Sequence, residues 1–184
     1  TCALPISYAR AHYSLAVLAA DSGRTDEAVT RFADAVKYGP DDPASRVGYA
    51  GALRQAKRLK EALQQYEEAA RLAPQRTDAV LGVAEILAAT NRFAEARDRL
   101  LAANRSYPEE PEFAHALARL FATAPDAKVR DGRRAMALVE QLMQGRRTTE
   151  LGETLAMALA EVGDFGRSEE HTSERQSRFG ISYA

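Results

Sequence analysis

Cysteine is nearly missing from this chain and tryptophan is absent: the only thiol is Cys2. A lone cysteine excludes an internal disulfide and any cysteine-built metal site. An excess of either charge is missing too. Net charge is −1, with Lys+Arg 25 against Asp+Glu 26, so no basic excess points to nucleic acid and no acidic excess to a cationic partner. Lysine is scarce beside arginine. No apolar run approaches the ~18 residues a membrane span needs. Histidine is also thin. Between Tyr8 and Gly166 only His12 and His115 occur, about three repeats apart by the period described below. No HExxH, GxSxG or phosphate-loop pattern is present. The acidic neighbours Glu67–Glu68 and Asp41–Asp42 fall on a solvated helix face and in a turn. A catalytic centre, a cofactor or a metal site is therefore not expected.

What the chain does have is a period. Pro40, Pro74 and Pro108 stand 34 residues apart. The same spacing relates Ala16, Ala50 and Ala84, then Ala28, Ala62 and Ala96, then the large residues Phe32, Tyr66 and Leu100, and finally Ala35, Ala69 and Ala103. Five positions agreeing over three copies indicate a repeat array.

Each unit reads as two amphipathic helices, in the second copy Pro43 to Ala56 and Leu59 to Ala73, with apolar residues three and four apart. Pro43 and Pro111 suit the first helical position. Thr77 is expected as an N-cap, and the period-closing prolines follow a helix end. Small alanines let the two helices of a unit approach closely, while the large residue four positions on fills the space towards the next pair. One pair cannot bury its own apolar face, so stacking is required.

This spacing resembles the tetratricopeptide repeat family, with a small residue at position 8, Ala at 20, a large residue at 24, Ala at 27 and Pro at 32. The units then run 9–42, 43–76 and 77–110. His12 and Arg46 depart from the large apolar residue usual at position 4, where only Val80 is apolar. The resemblance implies an all-α fold, a right-handed alpha-alpha superhelix of helix-turn-helix repeats. A fourth unit, 111–148, carries extra residues in a long loop over 124–134 before its second helix at Ala135 to Met143. A truncated fifth begins at Thr149, cut after its first helix, which Gly163 ends as Gly23 does in the first unit.

Both ends depart from the pattern. RSEEHTSE, from Arg167, resembles the translation of a short-read sequencing adapter, AGATCGGAAGAGCACACGTCTGAA. ALPI, at Ala3 to Ile6, resembles the translation of the opposite adapter's end, GCTCTTCCGATC. Residues 1–7 and 167–184 are accordingly expected to be library-derived, the latter as a disordered tail, with frayed ends and an array over 8–166. Neither natural terminus is then in view, and the compartment, cytoplasmic or periplasmic, stays open.

In the resembled family the first helices line a binding groove. Its positions fall here on Arg10, Tyr13 and Val17; on Val47, Gly51, Arg54 and Gln55; on Asp78, Leu81 and Glu85; and on Glu112, His115 and Arg119. Chaperone-tail-binding members grip a terminal carboxylate with Asn and Lys. Val17 and Gly51 occupy the Asn-type places here, which argues against such a clamp. Gly48, Gly51 and Gly82 each cost a helix about 1 kcal/mol relative to Ala. Close helix packing explains that cost, or a groove floor does, over which a peptide or amphipathic helix lies. Tyr13, Tyr38, Tyr49, Tyr66 and Tyr107 read as packing residues rather than a base-stacking platform. The expected role is a non-catalytic protein-interaction scaffold with a protein or peptide partner. The alternatives are a regulatory or substrate-presenting arm of a larger bacterial enzyme such as a glycosyltransferase, and a self-association module.

Overall fold

The computed structural model describes residues 3–145 and 148–163, with side chains from residue 7 onward. Among the described residues every regular element is an α-helix: α1 (Ala3–Asp21), α2 (Thr25–Tyr38), α3 (Pro43–Gln55), α4 (Leu59–Leu72), α5 (Thr77–Ala89), α6 (Phe93–Ser106), α7 (Pro111–Thr123), α8 (Gly132–Gly145) and α9 (Thr149–Glu161). The expected all-α, hairpin-repeat architecture is thus present. The stretch after Gly163, where the fifth unit is expected to break off, and the 167–184 tail lie outside the described residues. The chain divides into two compact units that meet at Arg92 and Phe93, α1–α5 and α6–α9.

In the first unit each helix packs on the next, and the first helices of successive repeats also touch, α1 with α3 and α3 with α5. The alanines of the repeat make this possible. Ala16, Ala28, Ala35, Ala50, Ala62 and Ala69 are all fully buried, so the backbones close on one another without a side chain between them. Phe32 and Tyr66 are buried as well, each contributing roughly 1.5–3 kcal/mol through the apolar area it removes from water. Both rings press on a glycine of the following first helix. A Cβ on Gly48 would stand 2.7 Å from Cζ of Phe32, and one on Gly82 would stand 2.6 Å from Cζ of Tyr66. Position 6 of a repeat is therefore the seat for position 24 of the repeat before it. In the second unit the same places hold Leu100 and Ala116.

Helix ends follow local chemistry. Asp42 caps α3, its carboxylate accepting from the backbone N–H of Ala44 and Ser45 at 3.2 and 3.0 Å, and Pro43 opens the helix without losing a hydrogen bond. Thr148 caps α9 in the same way through Leu151 N–H. Thr77, expected as an N-cap, is instead the first residue of α5. The cap position is Arg76, which makes no side-chain cap bond. Its guanidinium is engaged by Asp78, one residue further into the turn. At the other end of every first helix but α7 the chain turns through a left-handed residue: Gly23 (φ 72°), Lys57 (φ 62°), Asn91 (φ 61°) and Gly163 (φ 81°). The first three carry the paired bonds of a Schellman turn; around Lys57 these are Arg58 N–H to Leu53 C=O at 2.9 Å and Lys57 N–H to Arg54 C=O at 3.0 Å.

In the second unit α7 packs on α6, α8 and α9. The apolar core there includes Ala118, Val139, Leu151, Leu155 and Leu159. The fourth repeat departs from the period because α8 starts 21 residues after α7, whereas α4 and α6 start 16 residues after α3 and α5. α8 begins at Gly132, earlier than the expected Ala135, so the connecting loop is shorter than 124–134. That loop is packed. Ala124 and Val129 are buried, Asp126 accepts from Lys128 N–H, and Asp131 donates its N–H to Phe121 C=O. Glu161, at the end of α9, then closes the corner. It accepts from Gly132 N–H at 2.9 Å and lies 3.4 Å from Arg130. A Cβ on Gly132 would fall 2.9 Å from the Ala158 carbonyl, so this helix start has room only for glycine.

Candidate functional site

The predicted face separates into ten residues on the first unit and three on the second. On the first unit α1 supplies Arg10, Tyr13 and Val17, α3 supplies Val47, Gly51, Arg54 and Gln55, and α5 supplies Asp78, Leu81 and Glu85. None of the ten is buried. Tyr13, Val17, Val47, Gly51 and Leu81 are half-buried, and the five polar residues are exposed. Because these helices neighbour one another, the half-buried residues share an apolar strip. Tyr13 is held by an edge-on contact with Phe32, ring centroids 5.7 Å apart, so its ring is a fixed part of the surface.

Four of the flanking charges form two ion pairs. Arg54 and Glu85 bridge α3 to α5. Arg76 grips Asp78 with two bonds of 2.9 and 2.6 Å, and this bonding holds the Asp78 carboxyl below the usual aspartate range. Both pairs are exposed enough that each contributes at most about 1 kcal/mol to stability. Their effect is to fix two carboxylates and two guanidinium groups at known places beside the apolar strip. Arg76 was not anticipated in sequence, since it lies between helices and outside the repeat positions used to trace the face.

The three glycines divide by environment. Gly48 and Gly82 are seats for buried rings. Gly51 is different: the nearest atom to its Cβ position is the Tyr66 hydroxyl oxygen at 3.8 Å, an ordinary contact. Packing therefore explains Gly48 and Gly82 and leaves Gly51 without a steric reason inside the protein. Tyr66 itself is buried, which pushes its phenol above the ordinary tyrosine range and keeps the hydroxyl neutral.

On the second unit Glu112, His115 and Arg119 lie on α7. Glu112 and Arg119 are exposed. His115 faces α9, its Nε2 3.0 Å from Thr154 Oγ1, and the Thr154 hydroxyl donates to Glu150 C=O at 2.9 Å. With its proton committed to that carbonyl, Thr154 accepts from His115, which places the imidazole proton on Nε2. Burial first, and the nearby Arg119 charge second, lower the His115 pKa. Met157, on α9, is exposed. It occupies the ninth repeat position, that of Val17, Gly51, Glu85 and Arg119, but the longer fourth repeat hides it from a strict 34-residue count.

His12 is a packing residue, partly buried among aromatic rings. It stacks on Tyr38 at 5.6 Å and 23°, with Tyr8 alongside, and its Nδ1 sits 3.5 Å from an Asp34 oxygen without a hydrogen bond. Among the described residues no group of three His, Cys, Asp or Glu is placed to hold a metal ion. No helix there is long and apolar enough to cross a membrane.

Two family models described as tetratricopeptide repeat match the sequence, over residues 13–77 and 53–120. No curated protein matches it. Among solved structures, the fold is similar to MamA 41-end from Desulfovibrio magneticus RS-1, at 14% identity and a TM-score of 0.74, covering 95% of this chain and 98% of that one. It is similar to Pseudomonas aeruginosa pilF at 17% identity and 0.74, covering 98% and 79%. YrrB, a TPR protein with an unusual peptide-binding site, matches at 12% identity and 0.64, covering 90% and 84%.

Proposed function

The chain belongs to the tetratricopeptide repeat family, and from that premise we propose that it is a non-catalytic scaffold that binds a peptide or helix on the α1–α3–α5 face. Gly51 carries the reading. A helix-interior glycine costs about 1 kcal/mol relative to alanine, and at Gly51 no atom of the protein requires the missing side chain. A partner backbone lying over α3 would. The strip around it, Tyr13, Val17, Val47 and Leu81, supplies apolar contact, and the Arg54–Glu85 and Arg76–Asp78 pairs supply hydrogen-bonding groups in fixed positions. Burial of an apolar strip with polar orientation at its rim is the usual energetic division in peptide recognition. The unusual peptide-binding site of YrrB belongs to that protein and lends the proposal its class only.

A displayed library of random 12-residue peptides, selected on the full chain, tests this. Selected peptides bind the native chain and lose at least about tenfold in affinity, equal to 1.4 kcal/mol, on Gly51→Gln or Leu81→Lys. Helicity by circular dichroism stays unchanged, because both positions are surface-facing. Peptides that bind the Gly51→Gln chain as tightly as the native chain refute the assignment.

A further inference from the structure

One side of α1 is apolar and open to water. The buried side holds Ala9, Ala16 and Ala19. The other holds Tyr8, Ala11, Leu15 and Leu18, spaced by three, four and three residues, so they form one stripe along the helix. All four are exposed, Leu15 at 46% and Leu18 at 59%. Six large apolar side chains are exposed among the described residues, and three of them are Tyr8, Leu15 and Leu18. Single exposed leucines need no explanation, but a contiguous patch of them marks a contact surface.

Charge beside the stripe is placed to match it. Arg10 and Asp21 stand eleven residues apart, about three full turns, so they flank the stripe on the same side. Both are exposed. Charges nearby are paired: Arg24 and Arg31 reach Glu27 at 2.6 and 3.8 Å. Arg10 and Asp21 have no ion pair among the described residues.

We propose that this face of α1 joins two copies of the chain in a two-fold, antiparallel contact centred on Leu15. In such a contact, if one residue touches another, the second also touches the first. Leu15 meets Leu15 of the second copy. Leu18 lies over the second copy's Ala11, Tyr8 over its Ser22, and Arg10 within a residue of its Asp21. The two unpaired charges therefore find each other twice, once on each side of the axis. A parallel arrangement would instead set Arg10 against Arg10 and Asp21 against Asp21. Ala11 and Ser14 are small and let the two helices approach closely. The face shares only Arg10 with the α1–α3–α5 strip, so dimerisation goes beyond the peptide-binding reading and is measured without a peptide. One helix pair buries less than about 1,200 Å², the size of a weak, reversible association.

Sedimentation equilibrium of the full chain between about 10 μM and 1 mM tests this. The average mass climbs from near 20.1 kDa towards twice that value. Leu18→Glu holds the chain at the monomer mass. Arg10→Asp and Asp21→Arg each bring like charges together on both sides of the axis, and each weakens association at least about tenfold. The double variant Arg10→Asp/Asp21→Arg restores native association, because the pairs re-form with their signs exchanged. Asp21→Arg also puts a cation at the C-terminus of α1, which favours the helix. Its loss of dimer is therefore not a loss of α1, and circular dichroism of every variant checks that. A chain that stays monomeric across the range overturns the proposal. So does a dimer that Leu18→Glu leaves intact, or a double variant that associates no more tightly than the single ones.

Discussion

Gly51 and Gly82 are both glycines inside first helices, and replacing each by alanine should have opposite effects. The backbone gain is common to both: alanine in a helix interior is favoured over glycine by about 1 kcal/mol. At Gly51 the new methyl meets only the Tyr66 hydroxyl at 3.8 Å, so the gain is kept, and Gly51→Ala should raise the melting temperature by about 2–4 °C. At Gly82 the methyl would fall 2.6 Å from Cζ of the Tyr66 ring and as near to two further ring carbons. Carbon atoms rest at about 3.5–4.0 Å, so the buried ring must move by about 1 Å. Overpacking of this kind costs about 1–3 kcal/mol. Subtracting the helix gain leaves Gly82→Ala destabilising by up to about 2 kcal/mol. The difference between the two alanine variants isolates the overpacking alone.

Urea unfolding followed at 222 nm measures both, together with Tyr66→Leu and the double variant Tyr66→Leu/Gly82→Ala. The double variant recreates the Leu100–Ala116 combination, so its loss should be smaller than the sum of the single losses by at least about 1 kcal/mol. Equal stabilisation by Gly51→Ala and Gly82→Ala, or strict additivity in the cycle, would refute the account of position 6 as the seat for position 24.

Three further outcomes follow from other features. Lys57 holds φ 62° at a Schellman turn, so Lys57→Gly should stabilise by about 1 kcal/mol, read as a higher urea midpoint with an unchanged slope. Asp42→Ala removes the acceptor for two N–H groups of α3 and should destabilise by about 1 kcal/mol; a loss under about 0.3 kcal/mol would contradict the cap. The third concerns pH. The His115 pKa is lowered in the folded chain, so below about pH 6.5 the unfolded chain binds a proton that the folded chain refuses. Stability therefore falls as pH drops from about 6.5 through the depressed folded value. His115→Gln should flatten the decline in melting temperature between about pH 7.5 and pH 5.5, and an unchanged slope would remove His115 from that linkage.

Much of this fold could be read from spacing alone. The prolines and alanines located α3 and α4 to within a residue, because a strict period leaves little freedom in where a helix starts. Three features escaped for physical reasons. Lys57 and Asn91 stand where Gly23 stands in the first repeat; lysine gives no sign of a left-handed turn, and asparagine a weaker one than glycine. Thr77 has a capping side chain but sits one residue too late to use it. Glu161 is tied to Gly132, far away in sequence, and no local pattern encodes that. The α1–α3–α5 face was legible as a set of surface positions, since repeat phase fixes which residues escape burial. Its glycines were not separable by sequence: Gly48 and Gly51 are identical residues three apart, and only their surroundings show that one receives a ring and the other only an ordinary contact with the Tyr66 hydroxyl. The second-unit residues were traced by the same phase until the longer fourth repeat displaced it, which is how Met157 was passed over.

The Glu161 bond gives the fourth hairpin a dependence on time. Gly132 leaves the ribosome 29 residues before the carboxylate that receives its N–H, whereas the turn between α3 and α4 is closed by bonds spanning a few residues. A nascent chain halted just after α8 would hold that corner open, with the glycine amide bare and the start of the helix loose. Only the arrival of α9 fastens it, so a later stretch of the polypeptide completes a piece of the structure begun well before.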